Sequence, residues 1–183
     1  MTRPGELVHL DVKKLGRIPT GGGWKVHGLE GRQRRHPGYA FIHAAIDGYS
    51  RVAYAEVLAD EKGSSAAAFW VRAHAWFADH GIRVERVLTD NGSCYRSDVF
   101  RDALGAIPHT FTRPDRPQTN GKIERFNRTL LDDWAYVRVY RTEHQRTQAL
   151  KRWLHLYNHH RSHTSLAGQA PMTRISNLPG QYT

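Results

Sequence analysis

The chain has 183 residues and carries 27 Lys and Arg against 17 Asp and Glu, a formal charge of +10 with its 12 histidines neutral. Hydrophobic residues make up 39% and aromatics 10%, including five tryptophans, which is enough for one buried core and excludes a disordered chain. Cys94 is the only cysteine, so an intramolecular disulfide framework and a multi-cysteine zinc site are both excluded. No run approaches the roughly 18 continuous apolar residues of a membrane span, and Met1 to Glu6 lack the apolar stretch of a signal peptide. The expectation is a single cytoplasmic domain over residues 1–183, with no membrane partner and with nucleic acid as the simplest acidic partner for its charge.

In chain order, Leu7 to Val12 reads as a strand with apolar residues on both faces, which belongs inside a covered sheet. Residues 13–38 form a Gly-rich basic stretch with seven Lys and Arg against Glu30 alone, a local charge of +6, and read as a mobile loop, either solvated or a DNA-contacting arm through Lys13 and Lys14. Its Gly21-Gly22-Gly23 lacks the Gly-Lys-Ser/Thr that completes a phosphate-binding loop, so no nucleotide or other organic cofactor is expected. Tyr39 to Ile46 and Arg51 to Leu58 are strands around the hairpin signal Asp47-Gly48.

Ser64 or Ser65 can cap a helix that buries Ala66, Phe69, Trp70, Ala73, Trp76 and Phe77 and stops at Gly81. A strand over Val84 to Thr89 ends at Asp90-Asn91-Gly92. A short helix over Ser97 to Leu104 and a strand over Thr110 to Thr112 follow. After the turn-rich Arg113 to Gly121, one helix buries Ile123, Phe126, Leu130 and Trp134, and a last helix buries Leu150, Trp153, Leu154 and Tyr157. The order is three strands, then helix, strand, helix, strand and two helices.

Three acids stand where structure alone accounts for them poorly. Asp11 closes an apolar strand, Asp90 ends another, and functional groups gather beyond the carboxyl ends of strands in open α/β sheets. Glu124 lies at the edge of the core stripe of its helix, with Arg128 one turn on. Carboxylates brought together repel unless one is protonated or a cation joins them, and hard oxygen donors suit Mg²⁺ or Mn²⁺. Taken singly, an Asp at a strand end is more often a turn or cap residue, and an early-helix Glu commonly complements the helix dipole.

Their sequence neighbours decide between these readings. His9-Leu10-Asp11-Val12-Lys13, Ile46-Asp47-Gly48-Tyr49-Ser50-Arg51, Thr89-Asp90-Asn91-Gly92 with Tyr95 and Ser97, and Arg116 to Leu130 with its Gln118-Thr119-Asn120-Gly121-Lys122-Ile123-Glu124-Arg125 string occur in that order. Tyr157 to Arg161, His163, Leu166 and Pro171 follow. Together they resemble the integrase catalytic core shared by bacterial insertion-sequence transposases and retroviral integrases, nearest to the insertion-sequence branch.

The resemblance implies an α/β, ribonuclease H-like mixed sheet of about five strands flanked by helices. It also implies a DDE polynucleotidyl transferase in which Asp11, Asp90 and Glu124 are catalytic and ligate two Mg²⁺ or Mn²⁺ ions. Such an enzyme would cleave phosphodiesters at transposon ends and join them to target DNA, as a homo-oligomer on DNA. Lys13, Lys14, Asn120, Lys122, Arg125 and Arg128 are the candidate DNA-binding residues.

Asp47 is explained by the hairpin turn. His9 is a packing residue on the face of Asp11, and Cys94 has no base partner to make it a nucleophile. His155, His159, His160 and His163 lack a third ligand of defined spacing for structural zinc and are expected at a DNA-facing or interface end of the last helix.

Three features depart from the family pattern. Only 33 residues separate Asp90 from Glu124, slightly fewer than is usual. Asp115 stands where the insertion-sequence branch commonly has Tyr. Only ten residues precede Asp11, which implies a core without the helix-turn-helix region that recognises ends. The competing expectation is a catalytically silent DNA-binding or multimerisation remnant. A ribonuclease H or junction resolvase is disfavoured by the string ending at Glu124-Arg125.

Overall fold

The computed structural model describes residues 1–28, 37–112 and 121–175. Strands β1 (Val8–Gly16), β2 (Tyr39–Asp47) and β3 (Ala53–Leu58) pair antiparallel. Strands β4 (Val87–Thr89) and β5 (His109–Phe111) add in parallel on the other side of β1, giving the order β3-β2-β1-β4-β5. The helices are α1 (Trp24–His27), α2 (Gly63–Asp79), α3 (Asp98–Leu104), α4 (Gly121–Leu130) and α5 (Glu143–His159). The expected mixed sheet of five strands flanked by helices is present.

Alternation along the strands sorts side chains between two layers. Val8 and Leu10 pack with Phe69, Trp70 and Phe77 of α2 and Phe100 of α3. Leu15, Ile42, Ala44 and Ile46 pack on the opposite face with Ile123 and Phe126 of α4 and with Leu150 and Trp153 of α5. Asn158 of α5 seals the start of the edge strand. Its side-chain amide accepts from Ala53 N–H at 2.9 Å and donates to Ala53 C=O at 2.8 Å, replacing a neighbouring strand at that residue.

Several boundaries differ from the sequence reading. β1 continues to Gly16, because Lys13 to Gly16 pair with Ile42 to Tyr39, so the first four residues of the expected basic loop are strand. A helical turn, α1, lies further along the same stretch, and residues 29–36 lie outside the described residues. The α2 helix starts at Gly63 after Lys62, without a side-chain cap from either serine. β4 is confined to three residues and β5 begins at His109. The α4 helix ends at Leu130 and widens into a π-turn over Leu131–Ala135, which still buries Trp134.

The β2–β3 connection covers residues 48–52, later than the gap of residues 47–50 left between the expected strands. Asp47 N–H donates to Val52 C=O across an intervening loop. The buried Asp47 carboxylate organises that loop, accepting from Gly5 N–H (2.8 Å), Tyr49 N–H (3.2 Å), Ser50 N–H (2.6 Å) and Ser50 Oγ–H (2.7 Å). Both oxygens are engaged, so the turn accounts for this acid. Asp47→Asn should destabilise the fold by about 3 kcal/mol, because an amide cannot accept all four bonds and leaves buried donors unpaired. Chemical denaturation checks this, and an unchanged midpoint would remove Asp47 from that role.

Candidate active site

The parallel pairs Val8↔Val87 and His9↔Leu88 set the register of β1 against β4. Counting on from them puts Asp11 and Asp90 at corresponding positions, just where the ladder stops and the two chains part. Asp90 directly follows the last residue of β4, whereas Asp11, expected to close its strand, lies inside β1 opposite Ala44 because pairing with β2 carries β1 on to Gly16; the two carboxylates are close enough for the Asp90 charge to act on Asp11. Asp90 Oδ1 accepts Gly92 N–H at 2.9 Å, and a Cβ on Gly92 would lie only 2.9 Å from that oxygen, so a side chain there would push the carboxylate aside.

Burial pushes the Asp11 carboxyl up to about 6, and the Asp90 charge adds to the shift. Hydrogen bonds and Lys13, two residues on and of opposite charge, oppose it. Asn127 of α4 donates from Nδ2 to Asp11 Oδ2 at 2.5 Å, tying the helix to the central strand. Asn127 itself is buried, and its Oδ1 has no hydrogen-bond partner among the described residues. Tyr95 is buried nearby with its hydroxyl likewise unpartnered. Burial first, then Cys94, Asp11 and Asp90, holds the phenol well above its ordinary value and therefore neutral.

Glu124 occupies an exposed position in the first turn of α4, directly after residues 113–120, which lie outside the described residues. It precedes Asn127 by three positions, about 60° around the helix and roughly 4.5 Å along it, and so shares the edge that faces Asp11. Among the described residues no three His, Cys, Asp or Glu side chains converge closely enough to hold a metal. The structure thus pairs Asp11 with Asp90 and leaves Glu124 at the rim.

Of the candidate DNA-binding residues, Lys13 is exposed on the strand face of Asp11, and Arg125 and Arg128 are exposed on α4. Lys14 lies on the other face, its Nζ 4.2 Å from the centre of the Tyr39 ring. Lys122 is half-buried and donates to Gly48 C=O at 2.8 Å, bracing the β2–β3 loop. Asn120 and Asp115 lie outside the described residues. His9 is buried, and burial lifts the Cys94 thiol to about 11, which leaves it protonated at neutral pH. Sequence reasoning gave no role to Asn127, although its place three residues after Glu124 was the available signal.

Two family models described as integrase core domain match the chain, one over residues 1–117 and one over residues 106–171. Insertion element IS136 uncharacterized proteins of Agrobacterium fabrum and Agrobacterium tumefaciens are each 32% identical over 103 residues, 55% of this chain and 51% of theirs. The chain therefore spans about half the length of these curated relatives. Among solved structures, the simian T-cell lymphotropic virus intasome, in complex with PP2A regulatory subunit B56 gamma, contains a similar chain. It has TM-score 0.72 and 20% identity, over 98% of this chain and 57% of that one. The HTLV-2 integrase catalytic core domain, in complex with magnesium in a trimeric form, gives TM-score 0.60 and 15% identity over 94% and 97%.

These two likenesses show the fold, the ribonuclease H-like one of retroviral integrase cores. With one integrase core model covering residues 1–117, well over half its length, this chain belongs to the integrase core domain family.

Proposed function

We propose that the chain is the catalytic core of an insertion-element transposase, cleaving phosphodiesters at transposon ends and transferring the freed strand to target DNA. The observation that carries this reading is the Asp11–Asp90 pair at the β1/β4 crevice, one member of it held at about 6 by burial and by the other. Donors of this kind fit Mg²⁺ or Mn²⁺: they are hard oxygens, and their mutual repulsion is relieved by a cation between them. Asp11, Asp90 and Glu124 would hold two such ions, with Glu124 closing the set from the rim. When bound, the ions supply charge stabilisation for an in-line displacement at phosphorus.

The remaining roles belong to the chain itself. Asn127 orients Asp11 through its amide hydrogen, and the buried Tyr95 phenol stays neutral and adds no charge. Lys13, Arg125 and Arg128 are exposed cations that would hold DNA phosphates. The proposed partners are transposon-end and target DNA in the cytoplasm, with a second copy of the chain assembled on paired ends.

The test is oligonucleotide joining and plasmid nicking by the purified chain with Mg²⁺ or Mn²⁺, with Glu124→Gln alongside. Metal-dependent product that disappears in Glu124→Gln is the expected result. Full activity in Glu124→Gln would remove that residue from the ligand set. DNA binding that weakens steeply with salt and yields no product from the wild type would favour the silent remnant instead.

A further inference from the structure

The C-terminal end of α5 gathers imidazoles that neither the core nor the carboxylate crevice uses. His155 and His159, four residues apart on the helix, stack with ring centroids 4.6 Å apart. His160 is the first residue beyond the helix. Its backbone N–H and that of Arg161 both return to Leu156 C=O at 2.9 Å, a tight turn that folds the His160 ring back toward the helix. His160 Nε2 lies 3.4 Å from His155 Nε2. His155 and His160 are exposed and His159 is half-buried, so solvent ions reach all three.

That nitrogen separation has a chemical meaning. A tetrahedral ion bound at 2.0–2.1 Å from each imidazole holds its two nitrogens about 3.4 Å apart. The backbone turn has therefore set the two Nε2 atoms at chelating distance, where in the absence of an ion they share a hydrogen bond and the donor ring would shift its hydrogen to Nδ1 on ligation. His159, its centroid 6.2 Å from that of His160, lies within a side-chain rotation of joining them. Among the described residues no third donor is already in place, which leaves further positions to water or to a rotated His159.

We propose that His155 and His160 form a chelating site for a borderline divalent cation such as Zn²⁺, Cu²⁺ or Ni²⁺, with His159 as the available third ligand. Nitrogen donors select such ions over Mg²⁺ and Mn²⁺, which the carboxylate crevice suits, so the two sites take different metals and are independent of each other. The bound ion would lock the last turn of α5 to the segment that follows it. His155 and His159 also line the open groove of about 610 Å³ between α2 and α5 along the edge of β3.

The experiment is calorimetric titration of tag-free protein with Zn²⁺ in the presence of excess Mg²⁺, which occupies carboxylates and spares imidazoles. One equivalent should bind, at least about tenfold more weakly in His155→Gln and in His160→Gln, while His144→Gln, an exposed histidine at the other end of α5, should match the wild type. A wild-type readout avoids dependence on the variants: Cu²⁺ should give an electron spin resonance spectrum with two or three nitrogen ligands and should broaden the ring resonances of His155 and His160 first. Unaltered Zn²⁺ affinity in both variants, or broadening centred on other histidines, would overturn the proposal.

Discussion

Replacing Asp90 by Asn should lower Mg²⁺-dependent DNA joining on the order of a thousandfold, with the fold retained. Asp90 is half-buried at the end of β4, and an amide fills the same volume and still accepts Gly92 N–H. What is lost is the second negative charge of the pair, and with it most of the attraction for a divalent ion. Asn127→Ala should have a smaller effect, about 10–100-fold, because that side chain acts through Asp11 rather than on the ion. It also opposes the upward shift of Asp11, so its removal should move the acid limb of the pH profile to higher pH. Single-turnover joining measured across pH separates the cases. Equal losses with unshifted profiles would deny Asn127 its positioning role.

Asp11→Asn should stabilise the metal-free protein at pH 8. The Asp11 carboxyl stands at about 6 in the fold against an ordinary value of 3.8, so the folded state binds this proton more tightly than the unfolded one. Its favourable contribution is complete below pH 3.8 and is lost as pH rises through 6. Above that range the buried charge costs about 2–3 kcal/mol. An amide removes the cost and can still accept from Asn127, so Tm should rise by about 5 °C or more at pH 8, with the difference vanishing near pH 4. Mg²⁺ should raise the wild-type Tm at pH 8 far more than that of the variant, and the concentration required should climb as pH falls below about 6. Thermal unfolding with and without chelator measures all three effects, and a variant less stable than the wild type at pH 8 would refute the account. Stability held below its optimum at a binding crevice is what a site awaiting a cation implies.

The legible part of the fold was the part written in periodicity. The α2 stripe from Ala66 to Phe77 and the α5 stripe through Leu150, Trp153 and Tyr157 are local patterns, and both became helix faces against the sheet. β1 was underestimated because Lys13 and Lys14 look like loop residues. Pairing with β2 supplied the hydrogen bonds that local composition did not advertise. The bounds of the β2–β3 loop were shifted for a similar reason: the Asp47 carboxylate, gathering donors from Gly5, Tyr49 and Ser50, holds a connection over residues 48–52 where the sequence pattern left residues 47–50.

At the crevice, sequence alone singled out Asp11 and Asp90 as strand-end acids, which holds for Asp90 but not for Asp11, inside β1, and the neighbouring motifs implied Glu124 with them. The order of the strands is a long-range property, and only the parallel docking of β4 on β1 set two residues 79 positions apart side by side. That docking created the burial and repulsion that lift Asp11. The packing of α4 chose Asn127 as its partner and left Glu124 at the rim. The same holds for the histidines of α5. Helical spacing puts His155 and His159 one turn apart, where their rings stack, while the backbone turn after the helix, closed on Leu156, decided that His160 would meet His155. Residue type and spacing therefore determined which chemistries this chain has available. Burial, register and chain reversal, which depend on contacts distant in sequence, decided which of those groups meet.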